Sequence, residues 1–159
     1  MKKLISSIIP VVLAGLIVAA STAGEASITV LDGEVIYGTM AMNTSTSTVE
    51  LNDMQIATNN GTTTENFNIR GQNSVPGGWV LAGTNGADQY VHGFCLYQKE
   101  GDCDEAGDYT ALTTDNTPLA TGIAASSTVN FHLRITTPTL STSTVQQSVD
   151  VTVQAVETP

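Results

Sequence analysis

An all-β fold, an antiparallel Ig-like β-sandwich of about nine strands, is predicted by three observations. Short runs rich in β-branched and aromatic residues recur along the chain, apolar alternating with polar, as in Val129, Phe131, Leu133 and Ile135 against Asn130, His132, Arg134 and Thr136. Turn residues separate them at regular spacing: Asn59-Asn60-Gly61, Pro76-Gly77-Gly78 and Gly83-Thr84-Asn85-Gly86. Beyond the N-terminal apolar run no segment shows a capped helical period.

The N-terminus reads as a secretory signal peptide, residues 1–23, followed by one domain over residues 24–159. Lys2 and Lys3 form a positive n-region, and residues 4–20 are apolar except for Ser6 and Ser7. Small residues follow. Ser21-Thr22-Ala23 fits cleavage before Gly24, and Gly24-Glu25-Ala26 fits cleavage before Ser27. The rival reading is a retained membrane anchor, because the run is close to the ~17-residue lower limit for a spanning helix. No cysteine near the cleavage region suits a lipid anchor.

Cleavage before Gly24 leaves 136 residues, 159 less the first 23, enough for one domain with a core. That part keeps three basic residues against 15 acidic ones, a formal charge of −12. A chain this acidic repels nucleic acid and anionic membranes, so neither is an expected partner. Cys95 and Cys103 are the two cysteines. In a secreted chain such a close pair predicts one disulfide.

In chain order, Ile28-Thr29-Val30-Leu31 is a short β-type run. Asp32-Gly33 marks a turn, and Val35-Ile36-Tyr37 continues as strand in a hairpin or bent edge. Val49 and Leu51 alternate with Glu50 and Asn52. A phase shift before Met54 and Ile56 predicts a β-bulge near Asn52-Asp53. Phe67 and Ile69 alternate with Asn66, Asn68 and Arg70. After the loop 72–78 come Trp79, Val80 and Leu81, so two core strands joined by a tight glycine loop are expected, with Trp79 as the packing centre. Residues 90–97 form a strand ending in the cysteine loop, and 109–112 a shorter one. Residues 113–125, with Pro118 and Gly122, read as a connection. The two clearest strands are 129–136 and 145–155, the latter placing Val145, Val149, Val151, Val153 and Ala155 on one face. The expected core is Phe67, Ile69, Trp79, Leu81, Phe131, Leu133, Ile135, Val149, Val151 and Val153.

Ile69-Arg70-Gly71 followed by Gly78-Trp79-Val80-Leu81 resembles the first half of a WxL domain, which carries an Arg-Gly, a short loop and a Gly-Trp-x-Leu. Ile36-Tyr37-Gly38 sits where such proteins often have a Phe-Gly pair, so the likeness covers residues 36–81. Phe131-His132-Leu133 stands where a second Trp-x-Leu is expected. The resemblance implies a secreted β-rich surface protein bound non-covalently to cell-wall glycan. The overall plan, a signal peptide, one acidic Ig-like sandwich and no catalytic motif, is also similar to that of the camelysin and TasA group of matrix-fibre proteins.

Site chemistry is sparse. Asp102, Asp104, Glu105 and Asp108 offer carboxylate oxygens that suit Ca²⁺, against the simpler reading of a solvated, disulfide-pinned loop tip. No other cofactor is expected. His92 and His132 stand alone on strands, and His132 alternates with Phe131 and Leu133, which points it to solvent. No Gly-x-Ser-x-Gly elbow, His-Glu-x-x-His or phosphate loop appears, so no enzyme is expected. Asn43-Thr44-Ser45 and Asn60-Gly61-Thr62 match the N-glycosylation sequon. These features predict an extracellular cell-surface filament or biofilm-matrix subunit that self-associates by β-strand addition, with a glycan-binding surface module as the alternative. The expected donor strand is 26–31, Ala26, Ser27, Ile28, Thr29, Val30 and Leu31, with the last strand as core.

Overall fold

The computed structural model describes residues 25–31 and 33–158; the signal peptide expected over residues 1–23 lies outside them. The described residues form ten strands in two sheets: β1 Ile28–Leu31, β2 Ser45–Ser47, β3 Gln55–Asn59, β4 Glu65–Gly71, β5 Val80–Leu81, β6 Gln89–Leu96, β7 Thr110–Ala111, β8 Thr117–Ile123, β9 Thr128–Thr136 and β10 Val151–Glu157. The larger sheet has seven strands, with main order β1-β3-β9-β6-β5; β2 pairs with β9 and β7 with β6. The smaller sheet is β10-β4-β8. All pairings are antiparallel except β5 with β6. This is the predicted all-β sandwich.

The core lies between the sheets because β3, β4 and β9 turn alternate side chains inward. Phe67, Ile69, Ala57, Phe94, Leu112, Leu119, Val129, Phe131 and Leu133 form one buried cluster. Leu81, Val151 and Val153 are half-buried against it, as are Ile28 and Val30 of β1. Ile135 is buried as well. Val149 is half-buried and lies outside the cluster. So does Trp79, whose ring packs against Tyr90 with centroids 6.3 Å apart and whose Nε1–H donates to Ser141 Oγ at 2.8 Å. The packing centre is therefore Phe67 and Phe131, and the indole sits at its margin with its polar edge satisfied.

Several local expectations are corrected. The two strands either side of the glycine loop are present, but β4 belongs to the small sheet and β5 runs parallel to β6 in the large one, with Trp79 in the loop just before β5. Residues 48–52 form tight turns, not a bulge. Asp53 N–H donates to Thr48 O, and Asn52 adopts φ +54°. The register shift falls instead between β4 and β8 around Phe67. The strand expected over 145–155 is ordered as strand only from Val151. Residues 33–44 carry no strand, so Val35-Ile36-Tyr37 is irregular chain. The connection expected over 113–125 contains β8. Pro118 fits there because β8 is an edge strand, where a missing N–H costs no ladder bond.

Candidate functional site

The candidate site lies where the N-terminal segment meets the turn between β3 and β4. That turn is built by Asn59, a fully buried residue. Its Nδ2 donates to Thr63 O at 2.9 Å and Ile123 O at 2.8 Å, and its Oδ1 accepts from Gly61 N–H at 2.8 Å. With every polar group of the amide used, the turn is fixed, and it sets the start of β4.

β4 begins with Glu65, which shares the inward face with Phe67 and Ile69 and is 0% exposed. Its Oε1 accepts the Ser27 N–H at 2.9 Å. Its Oε2 has no hydrogen-bond partner among the described residues. Gly61 makes room for this arrangement: a Cβ there would sit 2.0 Å from Glu65 Oε1 and 2.5 Å from Glu25 O. Ser27 is also held through its carbonyl, which accepts the Asn60 N–H at 2.8 Å. Beyond Ser27, β1 pairs only with β3, from Ile28 opposite Asn59 to Leu31 opposite Ile56. It is a four-residue edge strand. Ile28 and Val30 face the core, while Leu31 is 65% exposed.

Of the expected donor segment, then, Ile28–Leu31 completes its own sheet, the alternative to a free arm. Glu65 was not singled out from sequence. The available signal was its phase, since it lies two residues before Phe67 on the face that goes inward.

The remaining candidates sit elsewhere. Cys95 and Cys103 form a disulfide with Cα atoms 5.7 Å apart, pinning the end of β6 to the following loop. In that loop the Asp102 carboxylate accepts from the Gln98 and Lys99 N–H groups, both at 3.0 Å, and Asp108 accepts from Glu105 N–H at 2.9 Å. Two of the four expected Ca²⁺ ligands are thus turn caps, and Asp104 and Glu105 are exposed. Among the described residues no three His, Cys, Asp or Glu side chains are grouped to hold a metal ion. The sequon residue Asn43 is exposed at φ +56°, its side chain bonded to Asn85. Asn60 is exposed, and its amide nitrogen donates to Thr29 Oγ1.

Both histidines are buried, correcting the solvent-facing placement of His132. His132 Nδ1 lies 2.8 Å from Thr48 Oγ1, and the turn 48–52 covers it. His92 Nε2 lies 2.9 Å from Tyr37 Oη, 55 residues away in sequence. Burial pulls the His92 pKa down to about 4 and lowers that of His132. It raises the Tyr37 phenol well above its ordinary value, helped by Asp53. Burial favours the neutral ring in both histidines; each meets one hydroxyl, and His92 Nδ1 has no partner among the described residues.

A cleft of about 560 Å³ opens between β8 and the facing ends of β6 and β9. There the three-stranded sheet stops at β8 and leaves Leu96, Tyr97, Leu119, Ile123 and Asn130 along its walls. Among the described residues no helix is long and apolar enough to cross a membrane, and the formed disulfide suits an oxidising compartment. No protein-family model, curated protein or solved structure matches the chain.

Proposed function

We propose that this protein is a non-enzymatic, extracellular structural subunit that self-associates by exchanging its N-terminal strand between copies. The observation that carries the reading is β1 itself. It is four residues long, at an edge, bonded to a single neighbour, and followed by irregular chain over residues 33–44. An edge strand of this kind can leave β3 and occupy the same place on a second copy. The ladder bonds and the Ile28 and Val30 contacts made in one chain are then remade in trans, so the exchange costs little beyond association. The connecting residues 32–44, 13 positions at ~3.3 Å each, reach up to roughly 40 Å, enough to cross to a neighbour. Release of the segment by signal cleavage would hold assembly back until export.

Deletion of the mature chain's N-terminal residues up to Leu31 tests this. The truncated domain is expected to stay folded, to form no filaments by negative-stain electron microscopy, and to bind a peptide of residues 26–31. Filaments that persist without the segment would refute strand exchange.

A glycan-binding surface module is the second reading. It is favoured by the β8 cleft, where the Tyr97 ring and the Gln98 and Asn130 amides stand beside apolar walls. It predicts a monomer that pellets with purified cell-wall material.

A further inference from the structure

We infer that the mature chain begins at Ser27 and that the buried Glu65 carboxylate is the receptor for its α-ammonium group. The inference rests on export with signal cleavage, and it does not depend on strand exchange. Glu65 is the observation that demands explanation. It is a fully buried carboxylate whose Oε1 has one amide partner and whose Oε2 has none among the described residues. A buried charge in that condition is costly, and such groups are ordinarily paired with an opposite charge. The atom already against it is the Ser27 nitrogen, 2.9 Å from Oε1.

In the uncleaved chain that nitrogen is an amide with a single hydrogen. Hydrolysis of the Ala26–Ser27 bond consumes one water and leaves a carboxylate on Ala26 and an α-ammonium on Ser27. The new group carries three N–H donors and a positive charge at the same place. One donor keeps the bond to Oε1, and a second can turn to Oε2. Gly24 and Ala26 supply the small residues a signal peptidase needs three and one positions before the cut. Cleavage before Gly24 would instead leave Ser27 an amide and Glu65 half-satisfied. Processing therefore both frees the strand and supplies the charge that locks its first residue onto the turn between β3 and β4.

Three measurements decide the matter. The N-terminus of chain exported by its native cells, read by intact-mass spectrometry, is expected at Ser27; a start at Gly24 overturns the inference. Chains produced with defined starts at Ser27 and Gly24 are then melted. The Ser27 form is expected to melt at least ~4 °C higher, and Glu65→Gln to abolish the gap. Equal melting temperatures, or a gap that survives Glu65→Gln, overturn it. Finally, the pH profile of α-amine acylation is followed, with Lys99, the other amine of the mature chain, as internal control. The Ser27 α-amine is expected to titrate at least ~1 unit above the ordinary ~7.7–8 in the wild type, and normally in Glu65→Gln. An ordinary value in both would contradict the ion pair. A chain starting at Ser27 that keeps the Ser27–Glu65 contact yet forms no filaments would count against strand exchange alone.

Discussion

The fold buries polar side chains in two regions, and it treats them differently. In the middle of the seven-stranded sheet, His92 on β6 and His132 on β9 are kept neutral and each meets a hydroxyl, that of Tyr37 or of Thr48. Beside the N-terminal edge strand, Glu65 meets one backbone amide and keeps an oxygen unmatched among the described residues. Neutral groups with neutral partners can be closed off when the chain folds. His92 Nδ1 is also without a partner among the described residues, but a neutral ring nitrogen costs far less to leave unmatched than a carboxylate oxygen, so the two regions differ in charge. On the proposed reading, the centre is finished by folding and the edge by processing and assembly.

The comparison can be broken from the centre outward. Phe131, 1% exposed at the packing centre, should dominate: Phe131→Ala is expected to cost about 3–5 kcal/mol in a denaturant titration, through lost burial and the cavity left behind. A cost below ~1 kcal/mol would mean that the core is not where the two sheets meet.

Acid should act next, through the centre. The folded-state pKa of His92, about 4, lies below the ordinary 6.5, so the unfolded chain binds the proton more readily. Stability is then fully present above about pH 6.5 and falls as pH drops towards 4, by up to about 3 kcal/mol for this residue. The lowered His132 pKa acts in the same direction. Thermal melts between pH 7 and pH 5 should show the decline, and His92→Gln should flatten it. A slope unchanged by that substitution would remove His92 from the finished centre.

A smaller loss, about 2 kcal/mol, is expected for Thr48→Val. The Thr48 hydroxyl lies 2.8 Å from His132 Nδ1 and accepts the Leu133 N–H at 3.0 Å, so its removal strands both groups away from water. Trp79→Ala is expected to cost less, about 1–2 kcal/mol, because the half-buried ring lies outside the core cluster. A loss as large as that of Phe131→Ala would restore Trp79 as the packing centre and extend the centre to β5.

The regular alternation of β4 and β9 made the core legible in sequence. Phe67, Ile69, Phe131, Leu133 and Ile135 are all buried as their phase requires. The same alternation misplaced His132, because it presumes water on the outer face. β9 lies mid-sheet, and the turn at 48–52, 84 residues from His132, covers that face. β8 was hidden by Pro118 and Gly122, which mark a loop unless the strand is known to be an edge. Ring size does not make Trp79 a core residue, because its N–H needs a partner and finds Ser141 Oγ at the margin. Glu65 was legible in phase and passed over because it is charged. Its partner is a backbone nitrogen 38 residues away, which no local pattern announces.

The central claim is that β1 is separable from a finished sandwich, and native-state hydrogen exchange tests it most directly. In the mature monomer, the β1 amides and the Asn60 amide that donates to Ser27 O are expected to exchange through a local opening. That opening should lie at least ~2–3 kcal/mol below global unfolding, while the amides linking β6 and β9 exchange only when the whole domain opens. If the β1 amides are protected to the full global free energy, β1 is an integral strand of its own domain and strand exchange is contradicted.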